Sequence, residues 1–185
     1  APGLFILQAE NVTVALEESQ RLAKSRNVLV SHPVRRRPIK KMAPMAPRPN
    51  DPLFPTQWPL ENRDRETGAI LGPELNIREA WAASTGKGVV IGIVDDGVDL
   101  EHTEFIGQGV DDLHFNFTNG KANGNPVAQN QTHGTVVAGI AVANANNGKG
   151  IAGVSPDARF ASLVVWDAGD NFGTEEEIAD MFQYR

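Results

Sequence analysis

Val89-Val90-Ile91-Gly92-Ile93-Val94-Asp95-Asp96-Gly97 is the stretch on which the fold turns. An apolar run with no polar alternation is the pattern of a strand covered on both faces, and such strands belong to parallel sheets. The run stops on two adjacent carboxylates and a glycine. In open parallel sheets, ligands lie beyond the carboxyl ends of the strands, so Asp95 and Asp96 stand where chemistry is done. A charge there is costly unless hydrogen-bonded or solvated. Asp-Gly is also a common turn pair, and an acid at a strand end can simply bond local amides. The tripeptide alone leaves both readings open.

Working outward, Leu75 to Ala83 suits a helix with Trp81 on its buried side, and Thr85-Gly86-Lys87-Gly88 is a turn. Residues 107–132 are rich in Gly, Asn and Gln and read as loops around a short strand at 113–117. A helix opens at Thr132 or His133 and runs to about Ala143, followed by a turn-rich loop to Gly153 and an apolar strand over Arg159–Val165. Thr174 with Glu177 three residues later is a capping box that starts another helix. Strands alternating with helices imply an α/β fold, a parallel β-sheet with helices on both faces.

The N-terminal part is of another kind. Residues 3–8 read as a short strand, Asn11 caps a helix over about 12–25, and Val28-Leu29-Val30 reads as a second strand. This small α+β piece leads into Arg35-Arg36-Arg37-Pro38-Ile39-Lys40-Lys41. Eight prolines fall between Pro33 and Pro59, which makes this stretch a linker or an extended surface segment.

Composition bounds the rest. A chain of 185 residues with 41% hydrophobic content can bury a real core and is not wholly disordered. The absence of Cys excludes disulfide frameworks, thiolate zinc sites and a cysteine nucleophile. No apolar run approaches the eighteen or so residues of a membrane span. The net charge of −6 hides a split: residues 1–50 carry 9 basic and 3 acidic side chains, residues 51–185 carry 8 and 20. The ends, Ala1 and a helix-like run at Arg185, raise the expectation of a piece cut from something longer. The apolar run Leu4–Leu7 is too short for a signal peptide.

Two chemistries compete for the aspartates. The pair resembles the acidic pair that holds Mg²⁺ in phosphorelay receivers, but after Asp111 and Asp112 the next Asp is Asp157, which precedes a strand. That reading fails on spacing. The other pairs a carboxylate with His133, which opens the helix His133-Gly134-Thr135-Val136-Val137-Ala138-Gly139. A carboxylate on Nδ1 would fix the tautomer and leave Nε2 as a general base. The positive end of the helix dipole is expected to lower the imidazole pKa. His32 and His114 read as ordinary surface or core residues, and His102 stays ambiguous.

Ile93 to Val98, followed by the His133 heptapeptide, resembles the subtilase (subtilisin-like, peptidase family S8) serine endopeptidases, whose catalytic residues run Asp, His, Ser. Asn146 to Val154 continues the likeness, and Asn50 to Leu60 resembles the start of a kexin- or furin-type catalytic domain. The resemblance covers about 50–185. It implies Asp95 as triad acid and His133 as general base. It places Asp96 near the S2 pocket, and Trp166 with Asp170, Asn171, Phe172 and Gly173 along S2–S4, where substrate would pair as an added strand. Trp166 reads equally as a core aromatic at a strand end.

The resemblance also implies a structural Ca²⁺ site, with the Asn147 side chain, carbonyls of Asn144, Lys149 and Ile151, and carboxylates of Asp51 and Glu104. Such an oxygen-only set suits Ca²⁺. Glu104 stands where the family usually has Asp, and the plainer reading is a turn without an ion. Thr132 replaces the Arg of kexin-like enzymes, and Asn130-Gln131 replace an acidic residue, so a dibasic preference is not implied, though Asp96 is compatible with one.

Ser19, Ser25, Ser31, Ser84, Ser155 and Ser162 all lack the Gly-Thr-Ser context of the family nucleophile. The expectation is an N-terminal fragment, inactive alone, whose serine lies downstream. Residues 1–41 then read as a propeptide (inhibitor) remnant, 42–50 as a Pro-rich linker and 51–185 as the N-terminal part of the peptidase domain. The implied partners are a polypeptide substrate and the chain's own propeptide, in a secreted, periplasmic or cell-surface setting. Nucleic acid is not expected, because the basic run offers no aromatic between Arg21 and Lys41 for base stacking. The rival is a non-catalytic subtilase-like binding module whose chain never supplies the serine.

Overall fold

A computed structural model describes residues 3, 7–33, 44–169 and 171–184. The chain divides into two compact units, Ala1–Lys41 and Met42–Arg185.

In the first unit, α1 (Val12–Ala23) starts where Asn11 accepts from the Val14 N–H at 3.0 Å. That cap satisfies one of the amides a helix start leaves without a partner. No residue of α1 is buried. The second strand expected at Val28–Val30 does not form, and Leu29 and Val30 are exposed. A strand needs a neighbour for its N–H and C=O groups, and among the described residues none pairs with this one. The strand expected at 3–8 lies largely outside the described residues.

The second unit holds α2 (Ile77–Trp81), β1 (Val90–Asp95), β2 (Phe115–Asn116), α3 (His133–Val142), β3 (Arg159–Val164) and α4 (Glu175–Gln183). The strands form a parallel sheet in the order β1-β3-β2, with Val90 opposite Arg159, Asp95 opposite Val164 and Asn116 also opposite Val164.

Strand alternation assigns the helices to faces. Ile93 of β1 and Phe160 of β3 share a core with Ala138 and Val142 of α3. Leu163 has the other parity on β3 and packs with Phe115, Val165 and Met181 and Ile178 of α4. The two helices therefore cover opposite faces, giving an α/β layered fold. Asp95 has the parity of Ile91 and Ile93, so it points toward α3. The expectation that β1 is covered on both faces fails for its other face, where Val90 and Val94 are 46% and 43% exposed. α4 packs on β2 and β3, and β1 is an edge strand among the described residues.

The Pro-rich stretch from 44 to 50 lies along the second unit as an extended segment. Ala46 exchanges both backbone groups with Arg78: its N–H donates to the Arg78 carbonyl at 2.9 Å, and Arg78 Nε donates to its carbonyl at 2.6 Å. Arg48 and Arg78 both donate to the buried Glu61 carboxylate. A buried carboxylate is tolerable only with such partners.

Candidate active site

Both Asp95 oxygens lie 2.8 Å from His133 Nδ1. The Asp95 side chain is 12% exposed and that of His133 75%. A carboxylate only accepts, so Nδ1 carries the hydrogen, and in the neutral ring Nε2 is then the atom with the free lone pair. Among the described residues no hydroxyl is hydrogen-bonded to Nε2. The imidazole pKa is raised, first by the hydrogen bond to Asp95, then by the charge of Asp95 and, more weakly, of Asp96. The expected lowering by the helix dipole is therefore overturned, because two carboxylates face the start of α3.

Asp96 does not extend the strand direction away from α3. Its Oδ2 accepts from the His133 N–H at 3.0 Å and its Oδ1 from the Gly134 N–H at 2.6 Å. Gly134 is required at this contact: a Cβ there would lie 2.9 Å from Asp95 Cβ and would collide with the Gly97 carbonyl. Thr135 accepts from the Asp99 N–H at 2.9 Å, tying the same helix turn to the loop after β1.

The segment after β3 folds back on itself. Trp166 bridges Phe172 in antiparallel pairing, with ring centroids 5.1 Å apart, and Gly173 N–H donates to the Val165 carbonyl at 2.7 Å. Asn171 donates to Asp167, and Asp170 lies outside the described residues. Sequence reasoning missed Gln131 as a connector. Buried just before His133, it accepts from Val127 and Ala128 and donates to the Asp167 carbonyl at 2.5 Å. An isolated Gln in an Asn/Gln-rich loop carries no signal for this in one sequence.

The loop at Asn144–Ile151 collects the other expected residues. Asp51 is buried and accepts from the Asn146 and Asn147 N–H groups at 2.8 and 3.2 Å. Buried Glu104 accepts from Asn147 Nδ2 at 3.1 Å, and its carbonyl accepts from Asn144 N–H at 2.9 Å. Neither carboxylate has an ion-pair partner among the described residues. A Cβ on Gly150, at φ +23°, would collide with Glu104 Oε1. Both carboxylates bond Asn147, and two carboxylates beside a side-chain amide are oxygen donors of the kind a hard cation takes. No cluster of three or more His, Cys, Asp or Glu side chains occurs among the described residues. One detail departs from the expected ligand set: Asn147 Oδ1 accepts from the Lys149 N–H at 2.8 Å, and its amide would have to turn to offer oxygen inward.

A parallel sheet carrying an Asp on a strand end against a His on a helix start defines a class of α/β protein with an acid–base couple. Within it, the subtilase family pattern (peptidase S8) matches residues 86–185, and the chain belongs to that family. It is 31% identical to a calcium-dependent protease of Trichormus variabilis, over 96% of this chain and 24% of that protein. It is 33% identical to furin of Rattus norvegicus, over 64% of this chain and 15% of furin. Its fold is similar to the crystal structure of the Aeromonas sobria serine protease in complex with the chaperone ORF2. The TM-score is 0.58 at 25% identity, covering 70% of this chain and 22% of that one. The chain thus spans about a quarter or less of the curated relatives described here.

Proposed function

We propose that this chain is part of a serine endopeptidase that cleaves polypeptides with an Asp-His-Ser triad, to which it contributes Asp95 and His133. The observation that carries the reading is the contact of both Asp95 oxygens with Nδ1 at 2.8 Å. Asp95 holds the ring in one tautomer and orientation. Nε2 then takes the proton of a serine hydroxyl during attack on the scissile carbonyl and returns it to the leaving amine. The serine is supplied by a part of the longer chain beyond these residues. Asp95 also stabilises the imidazolium formed in between.

In this reading the hairpin from Trp166 to Gly173 borders the substrate groove, residues 1–41 are an inhibitory propeptide, and 51–185 begin the peptidase domain. Membership of a family with a relative named calcium-dependent protease supports Ca²⁺ at the Asp51–Glu104 loop. Asp51, Glu104 and the Asn147 amide would hold it with the carbonyls of Asn144, Lys149 and Ile151, and the ion would neutralise two buried carboxylates. Among the described residues no helix is long and apolar enough to cross a membrane.

Replacing His133 by Ala in the full-length enzyme should lower peptide turnover by at least about 10³-fold, measured with a chromogenic peptide. Undiminished turnover would refute the assignment. A full-length wild-type chain without turnover, and without a serine reactive toward fluorophosphonate, would favour the non-catalytic binding module.

A further inference from the structure

We propose that Asp96 is a positioning residue, whose carboxylate anchors the main chain of α3 and thereby sets His133 against Asp95. The inference rests on the reading of His133 as general base.

A helix start leaves amides without intrahelical partners. At α3 the local cap is missing, because Thr132 in the N-cap place makes no side-chain cap bond. Asp96 supplies it from 37 and 38 residues away, taking the His133 amide on one oxygen and the Gly134 amide on the other. Adjacent residues on a strand point to opposite faces, so both carboxylates would not reach one helix if β1 continued. The strand ends at Asp95, and Gly97 turns the chain at φ +113°. The dipeptide therefore holds one histidine twice: Asp95 by its ring, Asp96 by its backbone.

The fit leaves no room to slide. A Cβ at Gly134 would lie 3.0 Å from Asp96 Oδ1 and would meet the Gly97 carbonyl. Charged caps bind amides more strongly than neutral ones and favour the helix dipole. Both oxygens are turned to the helix, and each holds one of its amides, which is the geometry of a support for the base. Losing the anchor lets the helix start move relative to β1, and a displacement near 1 Å is enough to cost about 10²-fold in rate.

The test uses the full-length enzyme as Asp96→Ala and Asp96→Asn, with His133→Ala as control. Two peptides differ only in Lys or Ala at the residue preceding the one whose carbonyl is attacked. Asp96→Ala should lower kcat by about 10- to 100-fold on both peptides alike, with KM changed less than about twofold. The acid limb of kcat/KM against pH should move to lower pH as the carboxylate field on the imidazole weakens. Asp96→Asn keeps one oxygen acceptor and should recover part of kcat. If Asp96→Ala does not fold, the equal loss on both peptides and the shifted acid limb are read from Asp96→Asn. A loss confined to KM for the Lys peptide would overturn the proposal in favour of direct substrate contact. Unchanged kcat and pH profile would overturn it too. Turnover surviving in His133→Ala would instead sink the catalytic reading on which it rests.

Discussion

His114 and His133 show how one side-chain type titrates in opposite directions within one unit. His114 is buried; its Nδ1 accepts from the Ser162 N–H at 2.9 Å in the middle of β3, and its ring lies against Phe160. Burial pushes its pKa down, Asp111 pulls it up somewhat, and Arg159 pushes it down further. The unfolded ring therefore takes its proton first as pH falls, from about pH 6.5. Stability from His114 is full above that pH and is lost below it. His133 works with the opposite sign: its raised pKa gives stability that is present below about pH 6.5 and is lost as pH rises through the folded value. The difference between chain and variant isolates His114. His114→Gln, which keeps an acceptor for Ser162, should flatten the fall in urea midpoint between pH 7.5 and pH 5. An unchanged slope would rule the assignment out. Nothing in Asp112-Leu113-His114-Phe115 marked this ring as a backbone acceptor, because Ser162 is 48 residues away.

At the scale of elements, legibility followed the range of the bonds. The box at α4 is local: Thr174 accepts from Glu177 N–H and Glu177 from Thr174 N–H, at 3.3 and 2.6 Å. The Asn11 cap of α1 is local too. Both were readable because every partner lies within one helical turn. Trp81 was readable as the inward residue of α2, although its donation to the Val154 carbonyl at 2.8 Å was not. Val28–Val30 and the outer face of β1 were misread for the same reason in reverse, since whether an apolar run is covered depends on distant partners. Thr174→Ala should cost about 1 kcal/mol of the second unit's stability by urea unfolding. A change within about 0.2 kcal/mol would show that α4 does not fold cooperatively with the sheet.

For the whole molecule, Asp51 and Glu104 both bond Asn147 of the 146–150 loop, which joins three distant parts of the second unit. Two buried carboxylates without an ion-pair partner among the described residues are a standing electrostatic cost. Added Ca²⁺ should raise the Tm of the full chain, stabilising it by about 2.7 kcal/mol at a hundredfold excess over Kd. EDTA should reverse the rise, and Asp51→Asn should remove most of it. A Tm indifferent to Ca²⁺ would dismiss the metal role and leave the loop as an Asn/Gly turn.

By itself the sequence determined the α/β class, the strand ending on Asp95-Asp96, the helix beginning at His133 and the family motif that both belong to. These are properties of short segments, where apolar period, turn residues and caps act over a few positions. Only the tertiary structure decided that both carboxylates turn to one helix end, that the imidazole pKa rises rather than falls, and that Gln131 ties the His loop to the Trp166 hairpin. Those outcomes are set by hydrogen bonds between residues more than thirty positions apart. Such pairs exist only once the sheet has brought the segments together.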